Sequence, residues 1–275
     1  MEYWNHIYSN FNPVAFSLFD INVHWYGIMY ALALLTAIYA AHWLIKKDNL
    51  DISSDKLDSY IWWVELGVIL GARIGYIIFY DPNTIYYLTH PWQIFNPFGA
   101  NGNFVGISGM SYHGAVIGFI IASYLFCKKN KISFLFITDI AVIAISFGYM
   151  FGRIGNFLNK ELVGRVTDVP WGIYVDGILR HPSALYEAFL EGFLIFIILF
   201  ILRTKKQFNG QIAVLYLILY SLMRIISELF RQPDIQLGFL LETQWLTMGM
   251  LISFSFSILC SVFYYFLLQK NKTII

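Results

Sequence analysis

Along the chain, long apolar stretches alternate with short polar or charged segments. The stretches fall near 24–45, 60–80, 112–127, 132–151, 185–202, 211–230 and 245–268. Most reach the length a helix needs to cross about 30 Å of hydrocarbon, the third being the shortest. No water in a bilayer core receives backbone N–H and C=O groups, and a helix satisfies them within the segment. The pattern therefore predicts an all-α polytopic membrane protein of seven transmembrane helices. Lys46, Lys47, Lys56, Lys128, Lys129, Lys131, Arg203, Lys205, Lys206, Lys270 and Lys272, eleven of the eighteen Lys and Arg, fall in alternate loops. The opposite loops hold only Lys160, Arg165, Arg180 and Arg231. The positive-inside bias places the N-terminus outside and the C-terminus in the cytoplasm.

This topology gives the outer face an interfacial N-terminal segment, 1–23, and two long connections, 81–111 and 157–183, while the inner loops are short. The second connection contains Val169-Pro170-Trp171-Gly172-Ile173-Tyr174-Val175-Asp176-Gly177-Ile178-Leu179. Two strand-like runs around Asp-Gly predict a hairpin, a small extracytoplasmic head on one membrane domain, 1–275. Internal repeats, low-complexity tracts and paired interrupted helices of the transporter kind are not apparent.

Composition agrees: 58% of residues are hydrophobic and 13% charged, against roughly 25% charged in soluble domains. The formal charge of +1, with no basic stripe interleaved with aromatics, argues against a nucleic-acid partner. Cys127 and Cys260 lie in or at the end of apolar stretches without redox or metal-knuckle spacing and read as packing residues. The N-terminus lacks a basic start, apolar core and small-residue cleavage site, so no cleaved signal peptide is expected.

The candidate chemistry lies at the outer helix ends. Gly152-Arg153-Ile154-Gly155-Asn156-Phe157-Leu158-Asn159-Lys160-Glu161-Leu162-Val163-Gly164 follows an apolar stretch. A cation near hydrocarbon costs roughly 2.5 kcal/mol or more, so it faces a partner, a polar cavity or a substrate. Arg153 offers a planar donor fork suited to phosphate oxygens. Arg224 and Glu228 are four apart and share a helical face, with Arg231 near the outer end; they read either as a self-neutralising pair or as part of an anion site. Glu187 and Glu191, also four apart, are most economically read as answering these arginines. Arg73, in Gly71-Ala72-Arg73-Ile74-Gly75-Tyr76, reads as an anion contact or as a snorkelling arginine on a helix-packing seam. His113, in Ser111-Tyr112-His113-Gly114, is a helix-end histidine or a base of near-neutral pKa. Tyr26, in His24-Trp25-Tyr26-Gly27, is an aromatic-belt anchor or a helper of that base.

The run from Gly152 to Gly164 resembles, at every fixed position, the signature Gly-Arg-x-Gly-Asn-Phe-x-Asn-x-Glu-x-x-Gly of the bacterial prolipoprotein diacylglyceryl transferase family. The resemblance extends over most of the chain through the blocks around Tyr26, Arg73 and His113, through Arg180-His181-Pro182-Ser183, and from Arg224 through Glu228 to Phe230-Arg231-Gln232-Pro233-Asp234. Ala115 and Ala184 depart from it, standing where the family usually has glycine and glutamine; the second removes an amide from that position.

The resemblance implies an enzyme of the bacterial inner membrane, without metal or organic cofactor. It would transfer the diacylglyceryl group of phosphatidylglycerol to the lipobox cysteine of a preprolipoprotein signal peptide and release glycerol phosphate. By the same resemblance Arg153 and Arg224 would hold the phosphate, and His113, assisted by Tyr26, would take the thiol proton. Asn156, Glu161, Gly164 and Arg73 would belong to the substrate pocket, with Glu228 and Arg231 bracing Arg224. A thiol of pKa near 8.5 needs deprotonation, and a leaving phosphate needs donors already in place. An anionic-lipid carrier or flippase is the rival, but its central site fits poorly with polar residues gathered at outer helix ends. A hydrolase would rest on Ser111 near His113, without a nucleophile elbow.

Overall fold

A computed structural model describes residues 1–18, 21–98, 102–103, 106–107, 109–233 and 238–272; Asp234 and part of the 81–111 connection lie outside them. All seven apolar stretches are helical: α1 Trp25–Lys47, α2 Ser54–Phe79, α3 Tyr112–Asn130, α4 Phe134–Leu158, α5 Ser183–Lys205, α6 Gln211–Glu228 and α7 Met248–Lys272. Six of these are long and apolar enough to cross a membrane, and α3 is not among the six. Tyr112 and His113 at one end of α3 and Lys128, Lys129 and Asn130 at the other dilute its apolar centre. The chain forms two compact units, 1–50 with 138–275 and 51–137.

In the first unit α1, α4, α5 and α6 meet around Leu44, Ile143, Ile195, Leu199 and Ile212. Small residues let the helices close: a Cβ on Gly148 of α4 would lie 2.6 Å from the Ala33 carbonyl oxygen of α1, and one on Gly192 of α5 would lie 2.9 Å from Met150 Cα of α4. α6 lacks a cap of its own, since Gly210 precedes it at φ 93°. Asp139 of α4 supplies one, its carboxylate accepting from Gly210 N at 2.9 Å and Ala213 N at 2.8 Å. The orphan amides of a helix start are thereby satisfied from a neighbouring helix.

The predicted hairpin is present as β3 Ile173–Val175 and β4 Ile178–Arg180. Its turn residues Asp176 and Gly177 both have positive φ, 51° and 77°, as a two-residue turn matched to strand twist requires. The N-terminal segment is more structured than its sequence suggested. It holds two short helices, Glu2–Asn5 and Ile7–Asn10, and an antiparallel pair, β1 Val14–Leu18 and β2 Ile21–His24. The short helices seat on the β3–β4 hairpin and its approach. Trp4 Nε1 donates to Trp171 O at 2.8 Å, Asn5 Nδ2 donates to Gly172 O at 2.6 Å, and buried Tyr8 packs on Phe157, ring centroids 5.2 Å apart.

The second unit is built on the α2–α3 pair. Gly67, Gly71 and Gly75 of α2 face Gly114, Gly118 and Ala122 of α3 so closely that a Cβ on Gly75 would lie 2.7 Å from Gly114 Cα. This is the small-xxx-small geometry of membrane helix pairs. Beside the seam runs an apolar groove of about 800 Å³, walled by Leu66, Leu70, Ile74, Ile117, Ile121 and Leu125.

Candidate active site

The first unit gathers Arg153 from α4, Glu187 and Glu191 from α5, Arg224 and Glu228 from α6, and Arg231 just beyond it. Glu187 and Glu191 follow one another near the N-terminal end of α5, where residues Ala188–Leu194 form a π-helical turn, a wide turn that recurs at functional sites. Arg153 Nη1 lies 3.0 Å from Glu187 Oε2, and Arg224 Nη1 lies 3.5 Å from both Glu187 Oε2 and Glu191 Oε1. Arg224 Nη2 pairs with Glu228 Oε2 at 2.7 Å across one helical turn, and Arg231 Nη1 stands 4.0 Å from Glu187 Oε1. The two acidic residues therefore answer the arginines, and Glu228 and Arg224, on one helical face by their i, i+4 spacing, form an ion pair.

The burial is asymmetric. Glu187 and Glu191 side chains are 0% exposed, while Arg153, Arg224 and Arg231 keep 18%, 14% and 16% of theirs accessible. The carboxylates are sealed while the arginine side chains keep a little of their surface, although Arg224 Nη1 is itself buried. Among the described residues no aligned hydrogen-bond donor reaches either oxygen of Glu187; that carboxylate is held by charge alone. A buried ion cluster is a poor source of stability, because desolvation offsets much of the attraction. Intramembrane ionisable groups otherwise mark substrate paths and ligand sites.

Three polar residues that sequence reasoning passed over complete the cluster. Tyr149, one turn before Arg153, accepts from Arg153 Nε at 2.7 Å and donates to Glu191 Oε2. Ser227 donates to Glu191 Oε1, and Thr247 donates to Glu228 Oε1 at 3.2 Å. The i−4 and i+3 spacings of Tyr149 and Ser227 from Arg153 and Arg224 put each on an arginine's helical face. Thr247 comes from before α7 and has no local signal.

Residues 159–164 of the run form a tight loop after α4. Lys160 and Leu162 take φ 59° and 55°, and Glu161 closes the loop by accepting from Asn156 Nδ2 at 3.1 Å and Asn159 Nδ2 at 2.5 Å. Gly164 lies where three backbones converge: its N–H donates to His181 O at 3.1 Å, it bridges Arg231, and an added Cβ would come within 2.8 Å of Phe230 O. This crossing sets where Arg231 leaves α6. Tyr26, 40% exposed, packs on the same run, its Cδ2 only 3.3 Å from where a Cβ on Gly155 would be.

Arg73 and His113 belong to the second unit. Arg73 is 6% exposed; its Nε donates to Ile94 O at 2.6 Å and its Nη1 to Gly109 O at 3.2 Å, with the Tyr76 and Tyr87 rings against the guanidinium. It anchors the connection between α2 and α3. His113, second residue of α3, is exposed, with Nδ1 3.4 Å from the Tyr80 hydroxyl. Ser111 caps α3, accepting from Gly114 N at 3.2 Å, which accounts for its position without a nucleophilic role.

Fold and site define a polytopic helical membrane protein whose partly accessible arginine side chains are backed by buried carboxylates. The prolipoprotein diacylglyceryl transferase family model matches residues 13–266, and the chain belongs to that family. It is 67% identical over 264 residues to a protein of Aliarcobacter butzleri, covering 96% of each chain. It is 60% identical over 255 residues to one of Campylobacter jejuni, covering 92% of this chain and 93% of that one. It is 57% identical over 269 residues to one of Wolinella succinogenes, covering 98% of each. All three carry the name phosphatidylglycerol–prolipoprotein diacylglyceryl transferase.

Proposed function

We propose that this chain transfers the sn-1,2-diacylglyceryl group of phosphatidylglycerol to the lipobox cysteine of a prolipoprotein. A thioether forms and glycerol phosphate leaves. The observation that carries the reading is the set of partly accessible side chains of Arg153, Arg224 and Arg231 held against fully buried Glu187 and Glu191.

In the step proposed, the cysteine sulfur attacks the glyceryl carbon, the C–S bond forms, and the C–O bond to phosphorus breaks with its electron pair going to the phosphate. Arg153 and Arg224 supply donors where that charge grows, which is where electrostatic stabilisation acts most strongly. His113 is proposed as acceptor of the thiol proton, assisted by Tyr26, on the strength of the motif resemblance. Asn156, Glu161, Gly164, Glu228, Arg231 and Arg73 are proposed to shape the substrate pocket. The observed contacts of Glu161 and Gly164 support an indirect part, holding the loop that follows Arg153.

The enzyme is proposed to lie in the bacterial inner membrane as one membrane domain, 1–275, with the N-terminus and the small head outside and the C-terminus cytoplasmic. α3 is proposed as the seventh span. Acyl chains would reach the site laterally from the bilayer.

The test is incubation of the detergent-solubilised protein with phosphatidylglycerol and a lipobox peptide, reading peptide mass and released glycerol phosphate. A diacylglyceryl mass gain that needs the peptide cysteine and disappears in Arg153→Ala is expected. A folded, lipid-binding protein that gives no gain would overturn the reading in favour of the carrier.

A further inference from the structure

Glu191 holds a position that neither substrate contact nor packing alone explains. Its side chain is 0% exposed, so it cannot touch a lipid, yet it is polar on both oxygens and sits at the junction of three helices. Oε2 accepts from Tyr149 of α4 and Oε1 from Ser227 of α6. Arg153 Nη2 lies 4.0 Å from Oε2 and Arg224 Nη1 lies 3.5 Å from Oε1. The direction of the hydrogen bonds is forced. Arginine has no acceptor, so Arg153 Nε must donate to the Tyr149 oxygen, and the one Tyr149 proton must go to Glu191. Nε is thus held on Tyr149, while Nη1 lies 3.0 Å from Glu187 Oε2 and Nη2 4.0 Å from Glu191 Oε2, so the whole guanidinium is set by its buried partners.

We propose, on the basis of the transferase reading above, that Glu191 is a positioning residue. Clamped by Tyr149 and Ser227, it fixes the spacing and tilt of Arg153 and Arg224 and offsets part of their charge, so that they grip a departing phosphate and still release it. The charge count gives the second half its force. Arg153, Arg224 and Arg231 face Glu187, Glu191 and Glu228, so the formal charges of these six residues cancel. The lipid brings one negative charge, whereas a freed phosphate monoester carries about −1.5 to −2 at pH 7. A cluster with surplus positive charge would favour that product and retain it.

Two substitutions that touch the same carboxylate are then expected to act in opposite directions on product inhibition. Glu191→Gln removes a negative charge beside both arginines, and glycerol phosphate should inhibit at a concentration at least fivefold lower than for the wild type. Tyr149→Phe keeps the ring and the charge but frees the guanidinium, and glycerol phosphate should inhibit at a concentration at least fivefold higher, with Ser227→Ala shifted the same way. Loss of folded enzyme cannot produce this pattern, because an inactive fraction leaves an inhibition constant unchanged.

The experiment uses the full chain in detergent with phosphatidylglycerol, lipobox peptide and added glycerol phosphate. Inhibition constants within twofold of wild type for all three variants, or Glu191→Gln and Tyr149→Phe moving the same way, would overturn the proposal. If Glu191→Gln does not fold, unchanged constants in Tyr149→Phe and Ser227→Ala overturn it, and a rise in both supports it. Wild-type transfer that Arg153→Ala abolishes, combined with unmoved constants, refutes the positioning role alone. Absence of wild-type transfer removes the transferase reading and this inference with it.

Discussion

Arg153 and Arg73 stand in nearly the same local sequence, Gly152-Arg153-Ile154-Gly155 and Ala72-Arg73-Ile74-Gly75, and the structure gives them different work. Arg73 is sealed at 6% exposure, with backbone carbonyl oxygens of 94 and 109 on its nitrogens and two tyrosine rings against its face. Arg153 is answered from behind by carboxylates and a tyrosine hydroxyl and keeps part of its surface open. An arginine on carbonyl groups ties down a loop. One on buried carboxylates can exchange part of that pairing for an anion.

The sharpest test of this contrast is conservative. Arg153→Lys keeps the charge and loses the planar fork, so kcat/KM should fall at least tenfold, a lost charged hydrogen bond costing about 1.5 to 3 kcal/mol. Arg73→Lys keeps a donor for one carbonyl and should lower kcat/KM less than Arg153→Lys does. Arg153→Lys within twofold of wild type, or an Arg73→Lys fall as large as that of Arg153→Lys, would break the comparison.

The glycines around the two arginines separate further. An added Cβ on Gly71 runs into the Gly114 carbonyl and lies 2.8 Å from Gly118 Cα, whereas one on Gly152 meets nothing within 4 Å. Gly71→Ala should destabilise the protein by about 1 to 3 kcal/mol, as overpacking does. Gly152→Ala should be neutral or slightly stabilising, since alanine is the better helix former. Thermal unfolding in one detergent compares them directly, and equal shifts would show that the two frames pack alike.

Much of this was legible in the sequence because it rests on local rules. Apolar length gave the helices, the Asp176-Gly177 pair gave the β3–β4 turn, and i, i+4 spacing gave Arg224 with Glu228 and Glu187 with Glu191. The small-residue frame around Arg73 already admitted a packing seam. What stayed hidden is tertiary. Tyr149 lies in a span where a tyrosine reads as an ordinary aromatic, and only the arrival of α5 and α6 turns its hydroxyl toward Glu191. The β1–β2 pair follows a segment whose composition reads as interfacial, and its strands are fixed by each other rather than by a strong turn signal. The π-helical turn at Ala188–Leu194 has no residue pattern of its own. α3 shows the limit of length as a criterion, since its polar ends set it apart from the six helices apolar enough to span.

The smallest expected effect concerns the joint between the loop after α4 and α5, where the arginine cluster meets the β3–β4 hairpin. His181 accepts Gly164 N–H on its backbone oxygen, and its Nδ1 is 3.2 Å from the Tyr186 hydroxyl, which itself receives Trp171 Nε1 at 2.7 Å. Trp171 donates to the tyrosine oxygen, and a neutral His181 can accept the tyrosine proton on Nδ1. Burial pushes the imidazole below its usual pKa, and Asp168 opposes this only in part. The unfolded chain therefore binds this proton more readily than the folded one. The stabilisation is fully present above the unfolded value of about 6.5 and is lost as pH falls through the depressed folded value. His181→Asn keeps an acceptor for Tyr186 and does not titrate, so its melting temperature should fall less than that of the wild type between about pH 7 and pH 5.5. Parallel pH profiles for the two proteins would show that the joint is insensitive to the charge on His181, and would leave the positioning of Arg231 to the backbone crossing at Gly164 alone.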